Sequence, residues 1–228
     1  MALSATYIGS AGDESGGGHT SFSIAAYNQA AGHLIVVFTS TFEGAGTVSS
    51  VTDTAGNTYV RVLAGQGEQN NSTNVFGQIW YAKNCLGNAA NVVTVNYSAS
   101  ITFSWCAAVD VAGADTSSPL DTSAVNTGAA STSHTTGAYT TTSANEILFV
   151  LDMASNAGFS LNSINNGYSV DATVLGSGGL GHKIVSSIIT AETTTVTASA
   201  SVQFGTVVAT FKAATITTGK GAVVVIME

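Results

Sequence analysis

Basic residues are scarce in this chain. It carries five Lys and Arg against thirteen Asp and Glu in 228 residues, which gives a formal net charge of -8. Proteins that bind nucleic acid neutralise its phosphates with clustered Lys and Arg, and basic clusters also attract proteins to anionic membranes. The composition therefore excludes nucleic acid and anionic membrane surfaces as expected partners.

Long apolar runs are missing too. No run reaches the roughly 18 apolar residues that predict a membrane-spanning helix, so no membrane insertion is expected. The opening residues, MALSATYIGS, have neither the basic region nor the apolar stretch of a secretory signal peptide. We therefore expect synthesis in the host cytoplasm, although the composition is typical of extracellular proteins. A virion component meets both expectations, and a chain whose signal peptide has been removed is the alternative.

Few residues are suited to binding metals or to nucleophilic catalysis. Cys85 and Cys106 are the two cysteines, and we interpret them as buried free thiols rather than a disulfide. The four histidines lack metal-ligand spacing, and the chain has no HExxH or GxSxG motif. The sequence thus predicts no metal, no cofactor and no catalytic residue.

The residues that remain predict strands. Hydrophobic residues make up 45% of the chain, and they recur with a period of two. In residues 101–111 every odd position is apolar, which predicts a long half-buried strand. Residues 34–38 and 147–151 are continuously apolar, which predicts central strands covered on both faces. We predict an all-β antiparallel sandwich of roughly 12 strands, with minimal helix.

The predicted organisation is one domain with two extensions. Residues 1–20 are expected to be an arm or loop, residues 21–213 the sandwich, and residues 214–228 an apolar tail. The tail ends in GAVVVIME, a β-prone run that needs its own sheet or a neighbouring chain's edge. The Ser/Thr-rich stretch 121–142 is either a loop between sheets or a pair of short polar strands.

Several candidate sites have simpler structural explanations. Residues 176–181, GSGGLG, match a dinucleotide fingerprint, but the strand-like residues that follow favour a hairpin loop. The loop at 13–19 lacks a cation-ligand pattern. Asp110, Asp115 and Asp121 are candidate acid/base residues, but Asp115 and Asp121 are better explained as caps of turns around Pro119.

Aromatic residues provide one further candidate site. Trp80, Tyr81 and Trp105 would suit a sugar-stacking platform, but aromatic residues on strands usually belong to the core. Trp80 and Tyr81 are adjacent and therefore point to opposite faces. We expect one of them to lie outside the main core.

Six short motifs occur in an order that resembles a known family. They are VTDTAGNTY (51–59), IWYAKN (79–84), NVVTV (91–95), WCAAVDVAG (105–113) with SPLD (118–121), NEILF (145–149) and VVATFK (207–212). Together they resemble a β-sandwich domain of bacterial surface and adhesin proteins and of tailed-phage virion proteins. The resemblance implies a jelly-roll-like sandwich used for display, adhesion or assembly, and it carries over no catalytic residue.

The expected function is structural. A bacteriophage virion protein, either a capsid decoration or a fibre-type component that self-associates and contacts other virion proteins, fits the composition and the apolar tail. The alternative is a carbohydrate-binding or adhesin module at the cell surface, with Trp80 or Tyr81 contacting a host-surface glycan. A glycan-degrading enzyme that uses Asp110 or Asp115 is the remaining hypothesis.

Overall fold

The computed structural model describes residues 2–13, 16–42, 46–63, 67–68, 75–154, 159–174 and 178–215. These residues form antiparallel sheets without a helix, which confirms the predicted all-β sandwich. Most of the predicted tail (216–228) and the first two residues of the glycine-rich motif (176–177) lie outside this range. The strands are, in chain order, β1 (Ser4–Asp13), β2 (His19–Ser23), β3 (Tyr27–Gln29), β4 (Leu34–Phe42), β5 (Val48–Asp53), β6 (Val60–Arg61), β7 (Gly67–Glu68), β8 (Val75–Ala82), β9 (Asn88–Asn91), β10 (Val93–Ile101), β11 (Ser104–Ala112), β12 (Leu120–Thr135), β13 (Glu146–Ala154), β14 (Leu161–Ile164), β15 (Ser169–Val174), β16 (Gly178–Val185) and β17 (Thr195–Lys212).

Three sheets are stacked face to face. The central sheet has the order β1-β11-β4-β8-β6, with β7 also on β8. A three-stranded sheet, β2-β10-β5, covers one of its faces, and the outer sheet, β12-β17-β13-β16-β15, covers the other. A separate pair, β3-β9, lies beside them. The described strands outnumber the roughly 12 expected, because short ladders such as β7 and β9 left no periodic signal.

The central strands of the stack are buried on both faces, as predicted for residues 34–38 and 147–151. In β4, Val36 and Phe38 face the outer sheet, whereas Ile35 and Val37 face the three-stranded sheet. In β13, every residue from Glu146 to Ala154 is buried. Continuous apolar sequence therefore identified the middle layers of the stack.

Strand β11 corrects one prediction. Residues 101–111 were expected to form one half-buried strand, but the chain turns at Phe103 (φ 54°), between β10 and β11. The odd residues of β11, including Trp105, face the outer sheet, and Cys106 and Ala108 on its other face are also buried. Small even-numbered side chains allow the three-stranded sheet to pack closely here, and both cysteines are free and buried, as predicted.

The first twenty residues also differ from expectation. They are not an arm or loop, because residues 4–13 form β1, which pairs along its length with β11. Gly12 leaves room for this pairing, since a Cβ at that position would lie 2.5 Å from the carbonyl oxygen of Ser104. The weak apolar character of β1 hid it from a periodicity analysis.

The polar stretch 121–142 contains β12, which doubles back on itself. The Asn126 side-chain amide donates to the carbonyl of Thr135 at 2.8 Å, whereas nine residues of straight strand would span about 30 Å. The Thr206 hydroxyl on β17 donates to both the Asn126 and Thr135 carbonyls, so β17 bends together with β12. The pairing register shifts between Gly128 and Ser133, where the bend lies.

The bent-back portion covers the outer face of the outer sheet. We call it the folded-back ribbon: residues 131–135 of β12, residues 195–202 of β17, and β14, which pairs with β17. Its Val196 and Leu161 pack against Leu148 and Val150 of β13. The outer sheet is thus buried on both faces.

A tight turn at residues 53–57 follows β5. Gly56 has φ 80°, and its N–H donates to the Asp53 carbonyl at 3.3 Å. The Asp53 carboxylate accepts from the Asn57 backbone N–H at 2.9 Å and from the Tyr59 hydroxyl at 2.9 Å. These bonds overcome the effect of burial and lower the pKa of Asp53. The VTDTAGNTY motif is therefore explained by its turn.

Candidate functional site

The candidate aromatic platform does not form, as the core explanation of these residues predicts. Trp80 packs against the core next to the three-stranded sheet, and its Nε1 donates to Gln78 at 2.8 Å. Tyr81 packs on the other face, with its ring centroid 5.4 Å from that of Phe211. Each is half-buried, so the two residues border different cores, and Trp105 is fully buried. No shared stacking surface results.

The three candidate aspartates have separate partners. Asp110 contacts His33 Nδ1 at 2.9 Å, and burial raises the pKa of Asp110. Asp115 accepts from the backbone N–H groups of residues 117 and 118 at 2.7 and 2.9 Å, as predicted for a turn cap. Asp121 instead accepts from the Thr142 backbone N–H at 2.6 Å.

Every histidine contacts an aspartate, which the sequence did not predict. The pairs are His19–Asp13, His33–Asp110, His134–Asp152 and His182–Asp171, at 2.8 to 2.9 Å. Partners lie as far as 77 residues apart in sequence, so spacing gives no signal. The loop at 13–19 is also explained by these contacts, because Asp13 accepts from both Gly17 and His19.

Only the His134–Asp152 pair is completely buried. His134 Nε2 lies 3.0 Å from the Ser131 carbonyl, so this nitrogen carries a proton, and Nδ1 lies 2.9 Å from Asp152. The His134 ring stacks on Phe204, with 4.3 Å between centroids. Because the pair joins the folded-back ribbon to β13 and is closed to solvent, its geometry suits fixing the ribbon and not binding a ligand.

A second network lies on the same face of the outer sheet. Lys183 contacts Glu192, and its Nζ lies 4.8 Å from the centre of the Tyr168 ring. The Tyr139 hydroxyl donates to Glu192 and lies 3.1 Å from the Tyr168 hydroxyl. All four polar ends are satisfied within the network, so it holds no group aimed at a ligand.

An open groove of about 730 Å³ lies between the central and the outer sheet. We call it the exit groove, because residues 213–215, where the described chain ends, form part of its wall. Ala2 and Leu3 line it from the central sheet, and Ile184 and Val185 line it from the outer sheet. The remaining lining residues are Ser143, Ala144, Asn145 and Ser186. The groove is thus mainly aliphatic, with a few hydroxyl and amide groups.

Two strand edges are open at the exit groove. The β15–β16 ladder stops at His182, whereas β16 continues to Val185 in its pairing with β13. Within the described residues, the other side of 183–185 therefore has no strand partner. Ile184, in the middle of this unpaired segment, has 47% of its surface exposed. Strand β1, which follows Ala2 and Leu3, is likewise an edge strand and pairs only with β11 among the described strands.

Two acids adjoin the exit groove. Glu146 follows the lining residue Asn145, is fully buried, and accepts from the Ser143 N–H at 3.2 Å. Burial, together with the neighbouring Asp121, raises the pKa of Glu146 to about 7. Burial also acts on Asp121, but hydrogen bonds from Thr142 hold its pKa below the usual value. Glu146 is therefore protonated below neutral pH and partly protonated at pH 7, beside the ionised Asp121.

The described residues contain no group of three or more His, Cys, Asp or Glu side chains placed to hold a metal ion. They also include no helix with the length and apolar character needed to cross a membrane. Comparisons of the chain with protein-family models, curated proteins and solved structures return no match.

Proposed function

We propose that this protein is a non-enzymatic structural component of a bacteriophage virion, a capsid decoration or fibre-type protein. It acts by self-association and by docking on other virion proteins. The observation that carries the proposal is the exit groove, an aliphatic groove with open strand edges beside residues 213–215. Such edges pair with added strands and so join chains.

The rest of the molecule agrees with this role. Three stacked layers and a folded-back ribbon bury both faces of the two large sheets. The chain has five basic residues, which leaves few sites for trypsin-like proteases. A densely packed, lightly charged β-structure is suited to display on a particle outside the cell.

Quantitative mass spectrometry of a source culture tests the proposal. Peptides of this chain should purify with intact phage particles, at a copy number comparable with that of other structural proteins. The cell-surface fraction, washed free of particles, serves as the control. Peptides confined to that fraction would contradict the virion role and support the adhesin alternative.

A further inference from the structure

The exit groove has the properties of an acceptor for a β-strand. Its two apolar walls come from different sheets, and one wall carries the unpaired edge at 183–185. Ile184 is 47% exposed at this edge. A strand that paired here would gain backbone hydrogen bonds on one side and place alternate side chains against the aliphatic lining.

The chain itself contains a matching segment. Residues 222–227 read AVVVIM, a run rich in β-branched residues and free of charge, proline and glycine. Residues 216–221 separate it from Thr215 in the groove wall. These six residues extend about 20 Å at most, so the apolar run starts close to the exit groove.

The direction of the exit favours a neighbouring copy over the chain's own groove. The Ala213 N–H bonds the carbonyl of Asn145 at 2.9 Å, and the Ala214 N–H bonds that of Gly113 at 2.8 Å. Strands β16 and β17 both pair antiparallel to β13 and so run in the same direction. Residues after 215 would therefore have to reverse direction to pair with 183–185 of their own chain. Because residues 213–215 and the acceptor edge line one groove, a two-fold axis beside this groove would bring two copies together groove to groove. Each then receives the other's segment, a closed exchange.

We propose that the exit groove binds residues 222–227 of a second copy of this chain as an added strand next to 183–185 of β16. The inference rests on the proposed function, since it names the contact through which the protein self-associates. It assigns Ile184 and Val185 as the acceptor and the segment after Gly221 as the donor.

Engineered disulfides test which chain supplies the strand. Both native cysteines are buried, so a cross-link between Ile184→Cys and Val224→Cys can be assigned to the engineered thiols. Oxidation should give a covalent dimer on a non-reducing gel. Cross-linking within one chain would overturn the assignment to a second copy, and absence of any cross-link would overturn the groove as acceptor.

Val125→Cys with Val224→Cys is the matched control. Val125 is an apolar residue on β12, at the opposite edge of the outer sheet, and is 41% exposed. We expect no cross-link from this pair. A dimer formed through Val125 as readily as through Ile184 would show that the segment does not select the exit groove.

Light scattering gives a second readout. Ile184→Asp should weaken self-association by about tenfold or more, the effect of losing one buried apolar side chain, and Val125→Asp should leave it unchanged. Deleting residues 216–228 should give a monomer. If the Ile184→Asp variant self-associated as strongly as the wild type, this inference would be contradicted. Incorporation of the chain into particles would still support the proposed function.

Discussion

The two faces of the outer sheet are both buried, but by different chemistry. On β13 the odd residues Ile147, Phe149 and Leu151 pack against apolar residues of the central sheet. The even residues, which meet the folded-back ribbon, begin with Glu146 and end with the buried Asp152 and Ala154. One strand therefore has an apolar face and a face bounded by two buried acids.

The difference follows from what covers each face. The central sheet is broad, so apolar contact alone secures it. The folded-back ribbon is narrow and reverses direction, and apolar contact does not by itself fix where it lies. Directional contacts supply that position: His134 with Asp152, and Thr206 with the Asn126 and Thr135 carbonyls. We expect polar pairs to set the ribbon's register, and apolar packing to hold the layers together.

Of the changes that test this difference, removing Asp152 should lower the free energy of unfolding most. Asp152→Ala leaves the His134 side chain buried without its partner, and breaking a buried pair in this way costs about 3–5 kcal/mol. Denaturant unfolding, read as the free energy of unfolding, measures the loss. Replacing both residues with leucine should recover much of it, because no unpaired polar group then remains buried.

Asp171→Ala is the matched control for this measurement. It also removes the partner of a histidine, but the His182 side chain is 20% exposed and water can replace the carboxylate. The expected cost is about 1 kcal/mol. Equal losses for Asp152→Ala and Asp171→Ala would show that the ribbon does not depend on its buried pair.

The contrast between apolar layers and a polar ribbon also explains which parts of the fold the sequence predicts. Apolar runs such as 34–38 and 147–151 predicted the middle strands correctly, because burial on both faces demands continuous apolar sequence. They did not predict the ribbon, because β12 is rich in Ser and Thr and is fixed by contacts to residues far along the chain.

The candidate site was less predictable still. The exit groove joins residues near positions 2, 144, 185 and 214, which only the folded chain brings together. Glu146 alternates with Leu148, Val150 and Asp152 along β13, which indicates one shared face of the strand. This alternation does not show whether either acid is buried. The apolar run at 222–227 was visible, whereas its acceptor was not.

The other acid of β13 predicts a pH effect of intermediate size. The pKa of Glu146 is raised from 4.5 to about 7, so the folded protein keeps a proton that the unfolded chain releases. The stability from this group is fully present below about pH 4.5 and is lost as pH rises toward 7. Glu146→Gln imitates the protonated acid and should stabilise the protein at pH 8 by about 2–3 kcal/mol.

Unfolding measured from pH 4 to pH 8 checks this. The Glu146→Gln profile should be flatter than that of the wild type between pH 4.5 and 7. Asp115→Asn serves as the control: hydrogen bonds from the backbone N–H groups of residues 118 and 117 lower the pKa of Asp115, so its stabilising contribution is lost only at more acidic pH. A Glu146→Gln profile parallel to that of the wild type would contradict a buried neutral acid beside the exit groove.

The smallest expected effect on stability belongs to the Lys183 network, which borders the folded-back ribbon but is partly exposed to solvent. Lys183→Met keeps the aliphatic packing over Tyr168 and removes the ion pair with Glu192, whose other bond from Tyr139 remains. The Glu192 side chain is 24% exposed, so water can solvate it. We expect the free energy of unfolding to fall by about 1 kcal/mol in thermal or denaturant unfolding, and by less at high salt.

Lys83→Met is the control. It removes only an exposed bond to the Ser117 carbonyl and should lower the free energy of unfolding by less. A loss for Lys183→Met near that of Asp152→Ala would mean that ion pairs hold the ribbon whether or not they are sealed from water.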